Sequence, residues 1–108
     1  MGMNDQAFEC HEIAKESGFW DDVDATDFVF QAKQLAMIHS EVTEVLEALR
    51  KSKSQLEVVE ELADILIRVY DFYWGLLEAG VVHSSLEDVF WDKMKKNMTR
   101  PRMHGVKG

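Results

Sequence analysis

Four acids in the sequence have the spacing of a metal cage. Glu41 and Glu44 are three residues apart, and so are Glu61 and Asp64. Residues three apart on an α-helix share a face, so each pair presents two carboxylates side by side. Both pairs lie in segments with helical periodicity, and the segments are joined by the short stretch SKSQ. A linker that short makes the two helices antiparallel neighbours, so Glu41/Glu44 can face Glu61/Asp64. Four carboxylates between two helices suit Mg²⁺, a hard ion that takes oxygen ligands and keeps several waters. The alternative is two solvated acidic faces, since either pair alone is common on a wet helix. A di-iron carboxylate bundle is disfavoured because the chain has no Glu-x-x-His.

The second helix of the pair sharpens this reading. In helical projection Glu57, Glu60, Glu61, Asp64, Arg68, Asp71 and Glu78 fall in one stripe roughly 100° wide, and apolar residues cover the rest. The stripe holds six carboxylates and one arginine. Like charges three or four apart cost about 0.2–0.5 kcal/mol each in an exposed helix, a cost that a divalent cation relieves. Glu60 is an alternative to Glu61 as a ligand. Asp71 can hold a second ion or pair with Arg68, and the pairing is the simpler expectation. So wide an apolar arc exceeds what a four-helix chain of 108 residues can cover, and it predicts an oligomer.

The elements that must position these acids are four helices, with no strand pattern. Helix 1 is expected over about Asp5–Ser17, stopping at Gly18. The stretch FWDDVDATD reads as a loop, with Thr26 or Asp27 capping helix 2 over about Phe28–Lys51. Helix 3 follows over about Leu56–Ala79, and helix 4 over about Leu86–Met98, with Ser84 and Glu87 as its capping box. Pro101 ends regular structure. The expected fold is all-α, a four-helix bundle-like oligomer, formed as a single domain over residues 1–108 with a basic C-terminal tail from about 99.

Charge and composition narrow the function. The net charge of −8 argues against a nucleic-acid polymer as partner. From Lys93 onward the chain carries +6 and no acid, while the body before it carries −14. An acidic body and a basic end fit a protein that holds a cation at one place and an anion at another. The single cysteine, Cys10, excludes an internal disulfide and fits the cytoplasm. It has no basic neighbour in sequence to activate it. No secretory signal and no membrane-spanning run is visible; the stretch Val58–Leu77 comes closest, but five charges interrupt it.

Three segments, HSEVTEVLEALRK, EELADILIRVYDF and DKMKKNMTRPRMHGVKG, resemble the MazG-like family of all-α nucleoside triphosphate pyrophosphohydrolases. The resemblance runs from about Gly18 to the C-terminus. It rests on ExxE followed by ExxD and on K-x-x-x-N-x-x-R-P, here Lys93, Asn97, Arg100 and Pro101. The ending His104-Gly105-Val106-Lys107 lacks one basic position of the His-Gly-Lys-Lys-like tail of small and phage-type members. The GFWDD stretch looks like their aromatic loop.

The resemblance implies hydrolysis of a nucleoside or deoxynucleoside triphosphate to monophosphate and pyrophosphate, in a nucleotide house-cleaning role. It implies Mg²⁺, with Mn²⁺ as a substitute, held by Glu41, Glu44, Glu61 and Asp64, and a homodimer or a tetramer of two dimers. Lys93, Asn97 and Arg100 are spaced to line one face of helix 4 and its exit, where they can hold phosphate or sugar. His104 and Lys107 can close over the site from the tail, and Trp20 can either stack on the base or pack at a helix junction. His11 and His39 read as structural. Two other functions are open to such a chain: a phosphoribosyl-ATP pyrophosphohydrolase, against which the RP-x-x-HG ending argues, and a catalytically degenerate interaction module.

Overall fold

The computed structural model describes residues 2–101. Four helices follow one another: α1 (Met3–Glu16), α2 (Phe28–Arg50), α3 (Gln55–Glu78) and α4 (Leu86–Met98). The described residues contain no strand. The all-α expectation holds, and each boundary falls within two residues of its expected place. No described helix is long and apolar enough to cross a membrane.

Local chemistry sets most of the helix ends. Asp27 caps α2 by accepting from the Val29 N–H, and Ser54 caps α3 by accepting from the Glu57 N–H. Gly18, at φ +87°, closes α1, and Gly80, at φ +76°, closes α3; this backbone region costs glycine nothing. The turn between α2 and α3 is tight enough that the Lys53 N–H still bonds the Ala48 carbonyl, so the two helices fold back antiparallel.

The expected capping box at α4 is corrected. Ser85, not Ser84, caps the helix by accepting from the Asp88 N–H. Glu87 turns away to accept from the Met3 N–H at 2.7 Å, and Asn4 answers by accepting from the Glu87 N–H. The starts of α1 and α4 therefore satisfy each other's free backbone donors. A pairing across more than eighty residues leaves no local pattern. The Tyr73 hydroxyl fixes the same corner, accepting from the Leu86 N–H and donating to the Ser84 carbonyl.

α3 is the hub, with α1 and α2 packed against it, and α4 leans on α1. The interior is thin. Among the described residues the only buried apolar side chains are Ala7, Ala25 and Ala48, and no large side chain is fully buried. Leu46, Leu56, Val59, Leu62, Leu66 and Ile67 on α2 and α3 are about half exposed. The accessible surface is 8137 Å², whereas a compact monomer of this mass would expose about 6,200 Å².

Candidate functional site

The antiparallel turn brings the acids of α2 and α3 together as their spacing predicts. Glu41, Glu61 and Asp64 each offer a carboxylate oxygen, and these oxygens lie within 4.8 Å of one another. The Glu61 carboxyl is pushed above its ordinary value, first by desolvation and then by the negative charges of Asp64, Glu44 and Glu41, with Lys53 opposing. The fourth predicted ligand, Glu44, is exposed; it contributes to this field but is not one of the three that converge. Glu60 is exposed and stands outside the convergence as well. Hard oxygen donors that repel one another while partly open to water fit an ion such as Mg²⁺, which keeps part of its hydration shell.

The expected pairing of Arg68 with Asp71 is corrected. Arg68 Nε donates across to Glu41 Oε1 at 2.7 Å, tying α3 to α2. Asp71 is engaged elsewhere, because its Oδ1 takes the Trp20 indole N–H at 2.9 Å and His11 Nδ1 at 2.8 Å. A carboxylate only accepts, so Nδ1 is the protonated nitrogen of His11 in this contact. Burial raises the Asp71 carboxyl above its ordinary value, and the bonds from His11 and Trp20 pull it back. His11 is buried and lies edge-on to Trp20, while its Nε2 is 3.5 Å from Glu78. Its structural reading agrees with these contacts.

Between α1, the following loop and the α2–α3 pair lies a cavity of about 540 Å³. Glu41, Asp64 and Arg68 form one part of its wall; Phe19, Trp20, Ile13 and Met37 form an apolar part; Lys33 and Gln34 add polar groups. Trp20 is thus on the wall, but its ring is wedged against the Gly75 backbone and stands edge-on to Phe30. Gly75 is buried in the last turn of α3, and a side chain there would occupy the space of the indole. Cys10 also lines the cavity; burial raises its thiol, and Asp71 and Glu9 act in the same direction, which matches an unreactive thiol.

The basic residues expected to meet phosphate lie elsewhere. Lys93, Asn97 and Arg100 are exposed on α4 and just past its end, and none lines the cavity. His104 and Lys107 lie outside the described residues. Sequence reading missed Lys33, Gln34 and the Asp71–His11–Trp20 group. A lone lysine or glutamine on an amphipathic helix gives no signal, but the rare Trp20 and the acid Asp71 set in an apolar helix were visible and were assigned separately.

A family model described as the MazG nucleotide pyrophosphohydrolase domain matches residues 31–104. No curated protein and no solved structure gives a significant match. The matched span contains both acid pairs and all but the first three residues of the α2–α3 hairpin that brings them together. With most of its length so matched, the chain belongs to the family of MazG nucleotide pyrophosphohydrolase domains.

Proposed function

We propose that this chain hydrolyses a nucleoside or deoxynucleoside triphosphate between the α and β phosphates, releasing monophosphate and pyrophosphate with Mg²⁺ as cofactor. The observation that supports this most is the convergence of Glu41, Glu61 and Asp64 beside a cavity with an apolar wall. The acids would hold the ion, with Glu44 joining them by a side-chain rotation. The cavity wall of Phe19, Ile13 and Met37 would take the nucleoside, since pockets for such ligands are concave and largely apolar.

A bound divalent ion would supply charge neutralisation for the phosphate oxygens. The chain's own part is to hold the α phosphorus in line with a water and to accept that water's proton on one carboxylate of the acid group. The basic groups Lys93 and Arg100, with Asn97, would hold the departing phosphates. They stand on α4 and just past its end, and none lines the cavity of the same chain. A second copy docked on the exposed faces of α2 and α3 would give them a way to the site. The surface in excess of a compact monomer is of the size that obligate dimers bury. A homodimer, or a tetramer of two dimers, is therefore part of the proposal.

The test is a product analysis. The purified protein is incubated with each common NTP and dNTP, with and without Mg²⁺. Monophosphate and pyrophosphate formed only with the metal is the expected result. Release of orthophosphate and diphosphate would refute the cleavage position, and no turnover of any nucleotide would favour an interaction module built on the same apolar faces.

A further inference from the structure

Arg68 stands where two demands on one carboxylate meet. It lies one helical turn after Asp64 on the same face of α3. Among the described residues its only ion-pair or hydrogen-bond partner is Glu41, at 2.7 Å. Glu41 is also one of the three acids whose oxygens converge. A cation seated among those acids and the Arg68 guanidinium would both draw on the Glu41 carboxylate. The contact is not locked in, because the Arg68 side chain is 37% exposed and uses one N–H of its fork. Part-exposed ion pairs of this kind exchange partners at small cost.

Arg68 also has somewhere to go. The residues lining the cavity include two cations, Lys33 and Arg68, and three acids, Glu41, Asp64 and Asp71. A polyphosphate entering that cavity meets more negative than positive charge, and a guanidinium spent on Glu41 does nothing to relieve it. Released, the same group presents a planar fork that holds two phosphate oxygens at once.

We propose that Arg68 is an exchangeable cation of this site. It neutralises Glu41, and where that carboxylate held a divalent ion the guanidinium would turn to the polyphosphate in the same cavity. Metal binding and nucleotide binding are thereby coupled through one side chain. The inference rests on the nucleotide-hydrolase reading above, and it assigns Arg68 a substrate-positioning role that the acid motifs do not contain.

The role predicts effects of opposite sign, which a merely structural ion pair would not give. Wild type, Arg68→Met and Arg68→Lys are titrated with Mn²⁺ alone, followed by the electron paramagnetic resonance signal of the free ion. They are then titrated with an α,β-methylene nucleoside triphosphate at saturating Mn²⁺. Arg68→Met should bind Mn²⁺ about fivefold tighter, the equivalent of losing one part-exposed competing ion pair. The same variant should bind the analogue about tenfold more weakly. Arg68→Lys should bind Mn²⁺ much as wild type does and bind the analogue less tightly than wild type, since it keeps the charge and lacks the fork. Unchanged or weaker Mn²⁺ binding in Arg68→Met would mean that Arg68 holds Glu41 in place, and would overturn the proposal. Unchanged analogue binding in either variant would overturn it too, and Arg68→Lys carries this arm if Arg68→Met does not fold. Absence of Mn²⁺ binding by wild type would instead strike the underlying reading, so the two failures are distinguishable.

Discussion

Gly75→Ala tests how the wall of the cavity is built. Gly75 lies in the last turn of α3, where this substitution ordinarily stabilises, because alanine is favoured over glycine in a helix by up to about 1 kcal/mol. Here the added Cβ would overlap Cη2 of Trp20 and lie 2.7 and 2.8 Å from Cζ3 and Cζ2. The indole cannot simply rotate away. Its N–H is bonded to Asp71, and its ring is packed edge-on between His11 and Phe30. Overpacking of this kind costs about 1–3 kcal/mol, and overlap with three atoms of a tethered ring places it at the upper end. The net expectation is a loss of about 2 kcal/mol, or a Tm lower by roughly 10 °C for a domain of this size. Thermal unfolding at fixed protein concentration reads this directly. In a Trp20→Ala background the same Gly75→Ala change should reverse sign and stabilise by up to about 1 kcal/mol, since the ring it strikes is gone. A higher Tm for Gly75→Ala in the otherwise unaltered protein would refute the wedge and, with it, the account of why Trp20 sits where it does.

Other outcomes follow from the acids and the exposed faces. Asp64→Asn and Glu61→Gln should each lower Mg²⁺-dependent turnover at least a hundredfold while raising the Tm measured in a chelator, because each removes one of the repelling charges; turnover at the wild-type rate would discard the ligand assignment. Burial raises the folded-state value of the Asp71 carboxyl, so the folded chain holds that proton more tightly than the unfolded chain. Its contribution to stability therefore declines as pH rises from the unfolded value near ~3.9 through the raised folded value. Asp71→Asn should flatten the dependence of Tm on pH across that acid window, and an unaltered slope from pH 3.5 to 6 would contradict it. Leu62→Lys on the exposed face of α3 should yield a smaller species in sedimentation and a Tm that no longer rises with protein concentration; an unchanged sedimentation coefficient would exclude that face from the interface.

Much of the site is written in the local sequence. The paired acids, the helical period on which they ride and the short turn between two long helices are all features within about thirty residues. They suffice to bring Glu41 opposite Glu61 and Asp64, because hairpin geometry leaves two helices joined by four residues little other choice. The caps at Asp27 and Ser54 and the glycine stops at Gly18 and Gly80 are equally local, each being a backbone requirement met by one residue type.

What only the tertiary structure decided is which charge answers which. Spacing put Arg68 and Asp71 on one stripe of α3 and so made them natural partners, but α1 and α2 flank that helix and divide them. Arg68 reaches to α2, while Asp71 is claimed by His11 of α1 and Trp20 of the loop. The donors that meet Asp71 come from about fifty and sixty residues away, and Glu87 is drawn from its own helix cap to the start of α1. Periodicity records which face a residue occupies along its own helix. It carries no record of what the neighbouring helix sets against that face, and for ionisable groups in a thin core that neighbour decides the role.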